Sequence, residues 1–259
     1  MQLPTPLDCI SSAARWPPSQ APPAITAIDT AARAIDMPYV FQVTPSAARA
    51  IRLRQAIAAK VANLYGHTYD ADREITITAG ATQAILSIIL AVVRTGDEVI
   101  VLEPCYDSYI PNIELAGGTV VRVPLNPGTF RPDLERIAAA ITPRTRMLMI
   151  NSPHNPTGMV WQAQDLDRLA DLLKDTEILV CSDEVYEHMV YDNAQHQSVA
   201  RHPELAQRSF LISSFGKTYH VTGWKVAYCA APAALTTEFR KVHQFNVFTV
   251  NTPMQHALA

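Results

Sequence analysis

The stretch Ser213-Ser214-Phe215-Gly216-Lys217-Thr218-Tyr219-His220-Val221-Thr222-Gly223-Trp224-Lys225 decides how this chain is read, because it sets one lysine among small residues directly after an apolar run. Phe210 to Ile212 reads as a short buried strand, so Lys217 falls just beyond the carboxyl end of that strand. Open α/β sheets bind their ligands at that edge. Ser213, Ser214 and Gly216 let backbone approach a bound group closely, and a second cation, Lys225, follows. An unprotonated lysine amine is a nucleophile able to form a Schiff base. An arbitrary lysine is more often a solvated loop residue, so the rest of the chain has to decide between the two.

Upstream of this stretch, short apolar runs alternate with helical patterns. Ile57, Val61 and Leu64 recur at helical spacing within Leu53 to Leu64. Strands are expected at Ile75–Thr78, Glu98–Leu102, Thr119–Leu125, Arg146–Ile150 and Ile178–Cys181, with helices at Asp133–Ala140 and Leu166–Leu173 and one opened by the stretch Ala79 to Ala84 and running through Leu90. Beyond Lys225, Val226–Ala230 reads as a strand, Leu235–Gln244 as a helix, and the residues through Thr252-Pro253 to Ala259 as a tail. This alternation predicts an α/β fold with a mainly parallel sheet.

Chemistry-bearing residues gather where the predicted strands end. Ala79-Gly80-Ala81-Thr82 joins a strand to a helix, either as an anion cup of free backbone amides or as a plain tight turn capped by Thr82. Tyr106 follows Glu98–Leu102 and is placed to stack on a flat ring or to lie on the surface. Pro153 and Pro156 stiffen the loop that carries His154 and Asn155. Ser182-Asp183-Glu184-Val185-Tyr186-Glu187-His188 ends another strand; its spacing is not that of a zinc helix, so no metal site is expected, and Glu184 and Glu187 read as structural.

Composition narrows the class further. The 259 residues are 48% hydrophobic with a net charge of -3, enough for a substantial core and without the basic surface that nucleic acid requires. The longest apolar run, Ala84 to Val93, is interrupted by Ser87 and too short to span a bilayer, so no membrane partner and a cytoplasmic location are expected. Cys9, Cys105, Cys181 and Cys229 form no CxxC pair. Residues 1–44 read as an arm, with no glycine before Gly66, eight prolines through Pro45 and helical spacing confined to Ile25–Ile35; residues 45–259 read as the α/β domain.

Ser214-x-x-Lys217 followed by Thr222-Gly223-Trp224-Lys225-Val226, together with His154-Asn155-Pro156-Thr157-Gly158, resembles the motifs of the pyridoxal-phosphate (PLP) aminotransferases of fold type I, class I/II. Within them the chain is similar to the methionine aminotransferase and kynurenine aminotransferase (cysteine-conjugate β-lyase) group, from about Leu53 to the last residue. The resemblance implies the large domain of that fold, a mainly parallel sheet sandwiched by helices, with the C-terminal small domain largely absent. PLP is the implied cofactor and transamination the implied activity, between a methionine, aromatic or glutamine-like amino acid and a 2-oxo acid through a Lys217 Schiff base.

The same resemblance gives each residue a role. Lys217 holds the cofactor and moves the substrate's α-proton, Asp183 pairs with the pyridine nitrogen, and Asn155 and Tyr186 bond the ring oxygen. Tyr106 covers the ring, while Gly80, Ala81, Thr82, Ser214 and Lys225 hold the phosphate. A homodimer is implied, with Tyr39 the nearby tyrosine that could reach a partner's phosphate. The family's carboxylate-gripping arginine has no match, and Arg240 fits no such motif. Alternatives are cysteine-conjugate β-elimination, or a truncated and catalytically weak PLP-binding remnant. A nucleotide-binding protein is disfavoured by the lack of GxGxxG and of a P-loop lysine.

Overall fold

Seven short strands, nearly every one a run of β-branched or apolar residues, form the sheet at the centre of the computed structural model, which describes residues 47–259. The strands are β1 (Ile75–Thr78), β2 (Glu98–Glu103), β3 (Thr119–Pro124), β4 (Thr145–Asn151), β5 (Leu179–Asp183), β6 (Ser209–Ser214) and β7 (Ala227–Ala230). Their order across the sheet is β1-β7-β6-β5-β4-β2-β3. The pairs from β6 to β3 are parallel, whereas β7 runs antiparallel to both of its neighbours. The arm expected over 1–44, its Ile25–Ile35 helix and Tyr39 lie outside the described residues.

Side chains alternate across a strand, and here both faces are buried. Ile100, Leu102, Leu148, Ile150, Val180 and Leu211 share one core cluster with Leu53, Ile57 and Val61 of α1 (Ala47–Tyr65) and Leu166 and Leu169 of the helix Ala163–Leu173. The alternate residues Val99, Val101, Met147, Met149, Phe210 and Ile212 join Ile85, Ile88 and Ile89 of α2 (Ala81–Val92) and Phe239 of the helix Ala233–Asn246. Each large side chain so buried contributes on the order of 1.5–3 kcal/mol. The result is the mainly parallel sheet that the alternation predicted, flanked by helices as the resemblance implied.

The remaining helices are α3 (Tyr109–Leu115), α4 (Leu134–Ala140), α5 (Ala163–Leu173), α6 (Pro203–Ala206), α7 (Phe215–Thr218), α8 (Ala233–Asn246) and α9 (Thr252–Leu258). Asp133, expected as the first residue of α4, is its cap, accepting hydrogen bonds from the amides of Glu135 and Arg136. Two differences from the sequence reading stand out. The segment after Tyr106 forms the short α3 despite Pro111, and the expected tail is α9, started by Asn251, whose side chain accepts from the Met254 amide at 3.2 Å. Among the described residues no helix is long and apolar enough to cross a membrane.

Candidate active site

Because β2, β4, β5 and β6 run parallel, their carboxyl ends share one edge, and the loops leaving that edge enclose a cavity of about 250 Å3. Asp183 closes β5, Ser214 closes β6, and Lys217 sits in the single turn of α7 that follows. Tyr106, Asn155 and Tyr186 enter from the loops after β2, β4 and β5, while Gly80, Ala81 and Thr82 form the start of α2. With Lys225, these are the ten positions singled out from the sequence, and all of them line this one cavity. Ile85, Val185, Gly216 and Thr222 complete its wall. The sequence marks Gly216 for close backbone approach and places Thr222 in the lysine motif, whereas it gives Ile85 and Val185 no role in the site.

Asp183 is the buried charge of the site. Burial pushes its carboxyl up to about 6, partly offset by hydrogen bonds from Tyr109 and from the Val185 amide, while the neighbouring Glu184 charge pushes it up further. The Tyr109 hydroxyl donates to Asp183 Oδ2 at 2.7 Å, and the Val185 amide reaches Oδ1 at 3.3 Å. A carboxylate with so little compensation at a cavity wall is suited to a cationic N–H in that cavity.

The opposite charge gathers at the start of α2. Gly80 has φ +86° and ψ 162°, and no side chain caps the helix, so Thr82 is not its cap. A Cβ on Gly80 would lie 2.9 Å from Lys225 Nζ, which places that ammonium against the helix N-terminus. Lys225 itself holds a left-handed φ of 53°. A cation beside the positive end of a helix dipole is unfavourable alone and favourable with an anion between them, which is the charge arrangement of a phosphate site. Ser214 Oγ accepts from the Gly216 amide at 3.1 Å, leaving its own proton to donate. Gly216 is also needed for close approach, since a Cβ there would meet Thr222 Cα at 3.0 Å.

The Lys217 amine and its surroundings are held from behind. Lys217 Nζ lies over the Tyr186 ring, 5.7 Å from its centroid. The loop carrying Asn155 is tied down by Asn151, whose Oδ1 accepts from the Asn155 amide at 2.6 Å and whose Nδ2 donates to the Asp183 carbonyl at 2.7 Å. His154 is buried and bonds Thr157 Oγ1 at 2.7 Å, an ordinary loop role. Glu187, directly after Tyr186, is buried and receives the Lys60 ammonium and the Tyr65 and Ser213 hydroxyls, so one carboxylate ties the β5 loop to the end of β6. Glu184 accepts from Ser182 and the Val199 amide and pairs with His196 at 2.8 Å.

Arg240 stays away from the cavity, bonding Thr76 and the carbonyls of Asp72 and Ile75. Among the described residues no cluster of three or more His, Cys, Asp or Glu is arranged to hold a metal.

One cavity at the sheet edge thus offers a lysine amine, a buried carboxylate and a cationic helix start, a set suited to a flat anionic ligand. The Aminotransferase class I and II family matches residues 19–259, and the chain belongs to that family, whose members are PLP-dependent. That match begins upstream of Leu53, where the motif resemblance starts.

Among the relatives, methionine aminotransferase of Escherichia coli is 54% identical over 207 residues, covering 80% of this chain and 54% of that protein. A probable kynurenine–oxoglutarate transaminase of Saccharomyces cerevisiae is 35% identical over 256 residues, 93% of this chain and 56% of that one. The crystal structure of YbdL from Escherichia coli, for which a methionine aminotransferase function is identified, superposes with a TM-score of 0.84 at 47% identity, covering 91% of this chain and 61% of that one. The chain therefore spans a little over half the length of the curated relatives it matches.

Proposed function

We propose that this chain binds PLP in the cavity at the sheet edge and carries out the cofactor-centred part of transamination, with Lys217 as the covalent anchor. The observation that supports this reading most is the convergence of Lys217, Asp183, Asn155, Tyr186 and the Gly80–Lys225 anion site on one cavity. When bound, PLP supplies an aldehyde that condenses with amines and a ring that withdraws electrons from the carbon next to the amino group.

Each side chain then has a defined task. The Lys217 amine would hold the cofactor covalently and, once freed by the substrate's amino group, would take the proton off the substrate's α-carbon. Asp183, as a carboxylate, holds a proton on the pyridine nitrogen. Asn155 and Tyr186 bond the ring oxygen, and Tyr106 covers the ring face. Ser214, Lys225 and the amides of Gly80 to Thr82 hold the phosphate.

The amino donor is a methionine-like, aromatic or glutamine-like amino acid and the acceptor a 2-oxo acid, a reading supported by the names of the relatives. The working unit is a homodimer, as the family resemblance implies, in the cytoplasm, with residues 1–44 as an arm and 45–259 as the cofactor-binding domain.

The test is chemical. Apo-protein is incubated with PLP, reduced with borohydride and digested, and the modified peptide is sequenced. The expected adduct lies on Lys217 and is lost in Lys217→Ala, while circular dichroism of that variant stays that of the parent. An adduct on another lysine, or one that persists in Lys217→Ala, refutes the assignment.

A further inference from the structure

Tyr109 is absent from every motif that carries the resemblance, yet its hydroxyl is the strongest hydrogen-bond donor to the buried carboxylate of the site. It is the first residue of α3, is fully enclosed, and donates to Asp183 Oδ2 at 2.7 Å. Its ring meets that of Tyr106 edge-on, with centroids 5.7 Å apart at 81°. Burial, and then the negative charge of Asp183, push the Tyr109 hydroxyl well above its ordinary range. The phenol therefore keeps its proton and is always a donor.

We infer that Tyr109 is the positioning residue of this site, fixing Asp183 by its hydroxyl and Tyr106 by its ring so that carboxylate and stacking ring address one flat ligand between them. This rests on the PLP reading above. The carboxylate has two oxygens, and the Val185 amide is a long 3.3 Å from Oδ1. Without Tyr109 the group has little to hold its plane. The charges and titratable groups facing Asp183 are Glu184, next in the chain, Cys181, two residues before it on β5, and Tyr109 on α3, with Lys217 across the same cavity. Of these, Tyr109 is the one that both stabilises the carboxylate form and touches it from a separate element. A hydrogen bond from a neutral donor to a carboxylate favours the charged form.

The test compares Tyr109→Phe with the parent, since phenylalanine keeps the ring contact and removes the hydroxyl alone. PLP dissociation constants are measured by equilibrium titration across pH. The parent is expected to lose affinity as pH falls through about 6, where Asp183 protonates. In Tyr109→Phe that acid limb moves up by about one pH unit, which weakens binding about twofold at pH 7 and approaches tenfold below about pH 5. Introduced into Asp183→Asn, the same change has less than about a twofold effect, because the group it acts through is already neutral.

Unchanged affinity and an unchanged limb in Tyr109→Phe overturn the inference, as does an equal loss in the Asp183→Asn background. If Tyr109→Phe does not fold, the Tyr109 hydroxyl proton is followed by NMR in the parent. A slowly exchanging resonance that is lost in Asp183→Ala supports the contact, and its persistence there refutes it. Failure of the parent to form the Lys217 adduct would sink the cofactor reading itself, a result distinguishable from any of these.

Discussion

Removing Lys60 tests the network behind the site most sharply. Glu187 is buried, which pushes its carboxyl up, but the Lys60 ammonium, with the Ser213 and Tyr65 hydroxyls, outweighs burial and holds it below the usual carboxylate range. In Lys60→Met the aliphatic stem remains and the charge goes. Breaking a buried pair from one side costs about 3–5 kcal/mol, and because the Lys60 side chain is 27% exposed the lower end, about 3 kcal/mol, applies. For a chain of this size that lowers the melting temperature by about 6–12 °C.

The pH dependence fixes the cause. In the parent the depressed carboxyl contributes stability that is present above the unfolded value, about 4.3, and lost as pH falls below it. In the variant burial is opposed only by the Ser213 and Tyr65 hydroxyls, so the folded carboxyl titrates above its unfolded value and the protein regains stability on acidification. The deficit should therefore shrink between about pH 7 and about pH 5. Urea unfolding of apo-protein at both pH values measures it. A deficit below about 1 kcal/mol, or one equal at the two pH values, refutes the reasoning.

Two further substitutions separate stability from binding. Asp183, with its carboxyl pushed up to about 6, stabilises the apo-protein below the unfolded value and costs stability as pH rises through about 6. Asp183→Asn should therefore make the apo-protein more stable by about 2–3 kcal/mol near neutrality while weakening PLP severely; thermal melts with and without PLP check both, and an apo variant no more stable than the parent counts against the assignment. Gly80→Ala places a Cβ 2.9 Å from Lys225 Nζ on a backbone at φ +86° that only glycine adopts readily. It should cost about 1–3 kcal/mol and weaken PLP more than tenfold, seen by titration; parent-like affinity would remove the anion role of that corner.

What could be read from the sequence, and what could not, follows from how far each signal reaches along the chain. The strands were legible because Val99 to Leu102 or Phe210 to Ile212 must be apolar to be buried on both faces, a local demand. The cavity-lining residues were legible because they follow or close predicted strands and match motifs of the resembled family; proline or glycine marks the loops of Tyr106, Asn155 and Lys217 but not that of Asp183 and Tyr186. Tyr109 was not, because its partner is 74 positions away and a tyrosine at a helix start carries no sign of it. Lys60 and Glu187 are 127 positions apart, and each alone looks like a surface charge. The direction of β7 was equally hidden, since four apolar residues do not say which way a strand runs.

The reversal of β7 bears on how the site forms as the chain folds. β6 and β7 adjoin and run in opposite directions, so the chain needs no crossover between Ser214 and Ala227, and both lysines ride on a single local excursion between neighbouring strands. Closing so short a loop sacrifices little chain entropy, whereas bringing Asp183 or Gly80 to the same place waits on the larger sheet. Amides from Ser209 to Ala230 should accordingly gain exchange protection together. The pair of cations is thus carried on one contiguous segment, Ser209 to Ala230, whose two strands pair with each other directly.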